Sequence, residues 1–98
     1  MAAWVLRRAN DVCEVCENPA PFLRSNGYAF LEVHHVRHLA DGGPDKVDNA
    51  VAICPNCHRE LHHGMNREAL RKEVIAKIAM LIDYPATRAD AAPTAPGS

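Results

Sequence analysis

Two short cysteine pairs constrain this chain more than any other feature. Cys13-Glu14-Val15-Cys16 and Cys54-Pro55-Asn56-Cys57 are each C-x2-C, and residues 17–53 separate them. A C-x2-C turn aims two sulfurs at one point, so two such turns can complete a tetrahedral Zn²⁺ site. The fold must then bring the start of the chain back against its middle, with a structured stretch between the knuckles. Two disulfides are the alternative in an oxidising compartment. A thioredoxin-like redox pair would need a βαβ context, which the pattern does not offer. Cys54-Pro55-Asn56-Cys57-His58 also matches the C-x-x-C-H haem-attachment signature, but that reading leaves Cys13 and Cys16 without a role. Structural zinc on Cys13, Cys16, Cys54 and Cys57 accounts for all four.

The need for such a staple follows from size. The chain has 98 residues, with Trp4, Phe22, Tyr28, Phe30 and Tyr84 as its aromatics. From Ala86 onward "ATRADAAPTAPGS" has no apolar period and cannot bury a core. The expected division is one domain over residues 1–84 and a disordered tail over 85–98. No apolar run approaches membrane length and no leader is recognisable, so the expectation is a cytoplasmic protein with reduced thiols and no membrane partner. The formal net charge is −1, which excludes a strong global basic field.

All six histidines fall in two groups, His34, His35 and His38, and His58, His62 and His63. Pro55 suits a first helical turn and Gly64 the position past the end, so residues 55–63 read as a short helix. Positions i and i+4 share a helical face, hence His58 and His62 converge while His63 points elsewhere, into solvent. Upstream, Asn26-Gly27 signals a hairpin turn, and "YAFLEVHHV" reads as its second strand, running through about Val36. Strand side chains alternate, so His34 and His35 face opposite ways and Glu32 shares the face of His34. Adjacent histidines on opposite faces suit two tasks, one ligating a metal and one acting beside it. Asp41-Gly42-Gly43-Pro44 and Asp48-Asn49 mark turns before the apolar run "AVAI".

"MAAWVLRRAN" reads as a helix with Trp4, Val5 and Leu6 inward and Arg7 and Arg8 outward. Asn66 is placed to cap a last helix from Arg67 to about Ile82, with Leu70, Val74, Ile78 and Leu81 as its apolar stripe.

"CEVCENPAPF", "LEVHHVRHLADGG" and "DNAVAICPNCHRELHH" together resemble the HNH, or ββα-metal, endonucleases, over about Asp11 to Gly64. The likeness is greatest to the zinc-containing subgroup of modified-cytosine-dependent restriction endonucleases. The resemblance implies an α+β fold, a small ββα-metal domain with a four-cysteine zinc site and flanking helices. It implies a metal-dependent DNA endonuclease in which His34 binds the catalytic metal, His35 is the general base and Asn49 holds that base in position across the loop. His58 and, one helical turn on, His62 complete the metal set, and Glu32 supports a metal histidine. Arg37 and Arg59 flank this region as expected phosphate contacts. His38 departs from the family pattern, standing where many relatives have proline.

Three imidazoles favour Zn²⁺, Ni²⁺, Co²⁺ or Mn²⁺ over Mg²⁺, although Mg²⁺ stays in the set to be tested. DNA is the expected partner, and the near-neutral charge calls for a second copy or a partner recognition domain to supply affinity. A silent zinc module binding nucleic acid or protein is the rival reading. Such a module needs none of the ordered histidines.

Overall fold

The computed structural model describes residues 1–86, so all but the first two residues of the expected tail lie outside the described residues. Within them the elements run α1 (Ala2–Ala9), β1 (Glu32–His35), β2 (Ala50–Ile53), α2 (Pro55–His63) and α3 (Arg67–Lys77), with single 3-10 turns at Leu39–Asp41 and Val47–Asn49. This is the α+β arrangement expected. None of its helices is long and apolar enough to cross a membrane.

The strands pair antiparallel, Glu32 opposite Ile53, Val33 opposite Ala52, His34 opposite Val51 and His35 opposite Ala50. Every residue of β2 is buried, which explains why it reads as an unbroken apolar run rather than an alternating one. Helix α1 packs on β2 and α2 on β1. The core joins Val5, Leu31, Val36, Val51, Ile53, Leu61, Val74 and Leu81 to the buried knuckle residues Cys13 and Cys57.

The expected hairpin is corrected in its partner. Asn26-Gly27 does turn the chain, with Gly27 at φ 88°, its N–H donating to the Arg24 carbonyl and the Arg24 N–H to the Tyr28 carbonyl. That turn yields only a single bridge between Leu23 and Ala29. β1 instead pairs with "AVAI". Phe22, Leu23 and Tyr28 are exposed, so this segment stays at the surface, whereas β1, with His34 and His35 buried, pairs along its edge with the fully buried β2.

Two helix expectations also change. In α1, Val5 and Ala9 are buried but Trp4 is exposed, and Arg8 turns inward rather than out. Val5, Arg8 and Ala9 share one face at helical spacing, while Trp4 lies beside it with the Arg8 guanidinium 5.6 Å from its ring centroid. Arg8 makes two 2.8 Å bonds to the Glu14 carboxylate and donates to the Ala50 carbonyl at 2.7 Å. Glu14 in turn accepts from the Ala52 N–H at 2.9 Å. One ion pair therefore stitches α1, the first knuckle and β2 together.

Helix α3 stops at Lys77, short of Ile82, because the chain turns there to dock. The Ile82 N–H donates to the Asp48 carbonyl at 2.9 Å, in the turn before β2. Val74 and Leu81 are buried and Leu70 and Ile78 partly so, as the stripe required. Asn66 holds the N-cap position without a side-chain bond to the helix. Arg71 is buried and donates to the Val36 carbonyl and to Asp83, anchoring α3 at the end of β1.

Candidate metal centres and active site

The knuckles meet as their spacing requires. The four sulfurs of Cys13, Cys16, Cys54 and Cys57 all lie within 4.8 Å of one another, and none is in a disulfide. Cys16 Sγ and Cys54 Sγ are 4.0 Å apart, close to the ~3.8 Å edge of a tetrahedron with Zn–S bonds of about 2.3 Å. Burial acts to raise the Cys13 thiol, but hydrogen bonds from the backbone at Cys54, Cys16 and Val15 outweigh it and bring the pKa down to about 7. Burial and the adjacent thiols push Cys57 up. Four sulfurs this close cannot all ionise without a cation among them, so the donor set fits Zn²⁺.

A second cluster is built on β1 and α2. His34 is 1% exposed, and its ring centroid lies 5.1 Å from His58 and 5.0 Å from His62. Those two sit 5.0 Å apart on one face of α2, as their spacing requires. Burial, then the neighbouring imidazoles of His58, His38 and His62, hold His34 down to about pKa 2. Burial, then the imidazoles of His38 and His58, bring His62 to about 4. Neutral imidazoles are the form that ligates a divalent metal. The His34 Nδ1 is buried with no hydrogen-bond partner, a donor atom suited to a metal. Glu32, on the same strand face, is hydrogen-bonded to His58 Nδ1 at 2.8 Å, which orients that ring.

His35 faces away from this cluster. Its Nε2 lies 2.7 Å from Asp45 Oδ1, a residue the sequence reading did not single out. Asn49, fully buried, accepts from the Arg37 N–H at 2.8 Å and donates to the carbonyls of Arg37 at 3.0 Å and Pro44 at 2.8 Å. None of these bonds goes to His35. It closes the loop from Arg37 to Pro44, whose next residue is the Asp45 that meets His35. Gly43 belongs to the same closure, since a Cβ there would stand 1.9 Å from the Arg37 carbonyl oxygen.

His38 is the second residue not foreseen as part of the site. Its ring stacks on His62 at 4.7 Å, and the ligand atoms of His34, His38 and His62 lie within 4.8 Å of one another. Strand and helix periodicity could not reveal this, because His38 lies in the irregular turn after β1. Arg59 and His63 are exposed on α2, while Arg37 is half-buried with its Nε donating to the Tyr84 carbonyl at 2.8 Å. A cleft of about 340 Å³, lined in part by His34, His38, Arg37, Arg67 and Arg71, opens beside the cluster.

Comparison with known proteins agrees with this architecture. The sequence description of the HNH endonuclease family matches residues 13–64, from the first zinc knuckle to the end of α2. The chain is 47% identical over 79 residues to the type IV methyl-directed restriction enzyme EcoKMcrA of Escherichia coli (strain K12), covering 81% of this chain and 28% of that protein. It is similar in structure to the type IV phosphorothioation-dependent restriction endonuclease ScoMcrA, with a TM-score of 0.66 and 39% identity over 74% of this chain and 14% of that one. The chain thus spans less than a third of either relative. With two cysteine knuckles bracketing a ββα unit whose strand and helix histidines converge, and with that match over the same residues, the chain belongs to the HNH endonuclease family.

Proposed function

We propose that this domain hydrolyses phosphodiester bonds in DNA, with His35 as general base and a divalent metal held by His34, His58 and His62. The observation that carries the reading is the convergence of buried His34 with His58 and His62 inside the segment matched by the family. Bound there, a divalent cation supplies Lewis acidity for a non-bridging phosphate oxygen and for the leaving 3′ oxygen. The chain's own groups do the rest. His35 takes the proton of the attacking water, and the Asp45 carboxylate at 2.7 Å holds the ring and stabilises the imidazolium that forms. Asn49 fixes the loop that delivers Asp45. Glu32 orients His58. Cys13, Cys16, Cys54 and Cys57 hold a structural Zn²⁺ that fixes α2, and so His58 and His62, against the sheet.

Exposed Arg59 is suited to a phosphate contact, and Arg37 lines the adjoining cleft. A formal net charge of −1 gives little non-specific affinity, so DNA is held with the help of a second copy or a recognition domain. The charge also favours a second reading, a zinc module that binds without cutting.

Nicking of supercoiled plasmid with Mn²⁺, Ni²⁺, Co²⁺, Zn²⁺ or Mg²⁺, and with EDTA, decides between them. Metal-dependent nicking that leaves 5′-phosphate and 3′-hydroxyl ends and disappears in His35→Ala is the expected result. Nicking undiminished in His35→Ala would remove the assigned base, and its absence with every metal in folded, zinc-loaded protein would favour the binding module.

A further inference from the structure

His38 and exposed His63 take no part in that chemistry, and of the two it is His38 that stands against His34 and His62. His38 is half-buried, its ring stacked on His62 at 4.7 Å with 28° between planes and edge-on to His34 at 5.4 Å. Its side chain is not what holds its own turn: the His38 carbonyl accepts from the N–H groups of Asp41 and Gly43, both at 3.0 Å, so the backbone closes the turn. His38, His34 and His62 present donor atoms within 4.8 Å of one another; His58 stands next to that set of three, its ring centroid 5.1 Å from His34 and 5.0 Å from His62 and its Nδ1 held by Glu32.

We propose that His38 is a ligand of the same metal, making the centre a four-imidazole one, and that it thereby sets which metals the centre can use. The inference rests on the metal-centre reading just given. A divalent ion restricted to four ligands is saturated by His34, His38, His58 and His62 and keeps no position for phosphate. An ion that accepts five or six ligands, such as Ni²⁺, Co²⁺ or Mn²⁺, still has open positions beside the same four nitrogens. Zn²⁺, usually four-coordinate when fully ligated by protein, is therefore bound tightly but unproductively while His38 is present. Removing His38 frees a position, at a cost in affinity.

The test uses the full chain with its four-cysteine zinc in place, confirmed by metal analysis. Co²⁺ binding to the histidine centre is followed by calorimetry and by visible absorption in wild type, His38→Ala, His38→Gln and His34→Ala. Both His38 variants are expected to bind Co²⁺ roughly 10–100-fold more weakly, at least the loss typical of an outer partner of a metal ligand. The Co²⁺ absorption should weaken as water replaces a nitrogen, and nicking supported by Zn²⁺ should rise relative to Ni²⁺. Unchanged affinity and spectrum in both His38 variants, with binding lost in His34→Ala, overturn the role of His38 and leave the centre standing. Unchanged binding in His34→Ala as well overturns the centre itself, and this inference with it.

Discussion

Asn49 offers the sharpest quantitative test, because its three side-chain bonds all go to backbone and cannot be replaced by other side chains. Asn49→Ala removes an acceptor at 2.8 Å from the Arg37 N–H and donors at 3.0 and 2.8 Å from the Arg37 and Pro44 carbonyls. At about 1 kcal/mol of net contribution each, the loss is ~3 kcal/mol, and more if the backbone groups stay dry. For a domain of this size ~3 kcal/mol lowers Tm by roughly 15 °C. Asn49→Asp should do no better near neutral pH: one oxygen still accepts from Arg37, but the other faces two carbonyl oxygens. Urea unfolding in excess zinc measures the loss, and amide exchange at Arg37 locates it. Because the loop from Arg37 to Pro44 presents Asp45, nicking should fall along with stability. A loss below ~1 kcal/mol, or an Asp variant as stable as wild type, would refute the account of Asn49 as the loop's closure.

Further outcomes follow from the same contacts. Chelation of the four-cysteine zinc should unfold the domain cooperatively, with all four thiols reacting with a disulfide reagent only after chelation. Arg8→Met should cost about 3 kcal/mol by leaving the poorly exposed Glu14 carboxylate without its counter-ion, while Arg8→Met with Glu14→Leu should lose less than the two single variants summed; additive losses in thermal melts would deny the coupling. Asp45→Asn should lower the nicking rate roughly 10-fold with little change in melting temperature, since its side chain is largely exposed; an unchanged rate would show that His35 acts without it. Arg71→Leu should weaken the docking of α3, seen as faster amide exchange in α3 and at Val36.

Much of this molecule was legible in the chain itself, where short-range geometry decides the outcome. C-x2-C turns place two sulfurs together, i and i+4 put His58 and His62 on one face, and strand alternation sends His34 and His35 apart. Pro55 starts α2 where a proline can stand, and the ordered motifs pointed to the family. Local rules stop where contacts join distant or irregular segments. Asn26-Gly27 does make its turn, but which strand β1 pairs with depended on which distant segment could lie buried in the core beside it, and fully apolar "AVAI" could. Arg8 looked like a solvated helix charge until Glu14 and the Ala50 carbonyl gave it partners. Asp45 and His38 lie in turns without periodicity, so only the closure of the loop by Asn49 and Gly43, and the docking of α2 on β1, decided that one would meet His35 and the other His62.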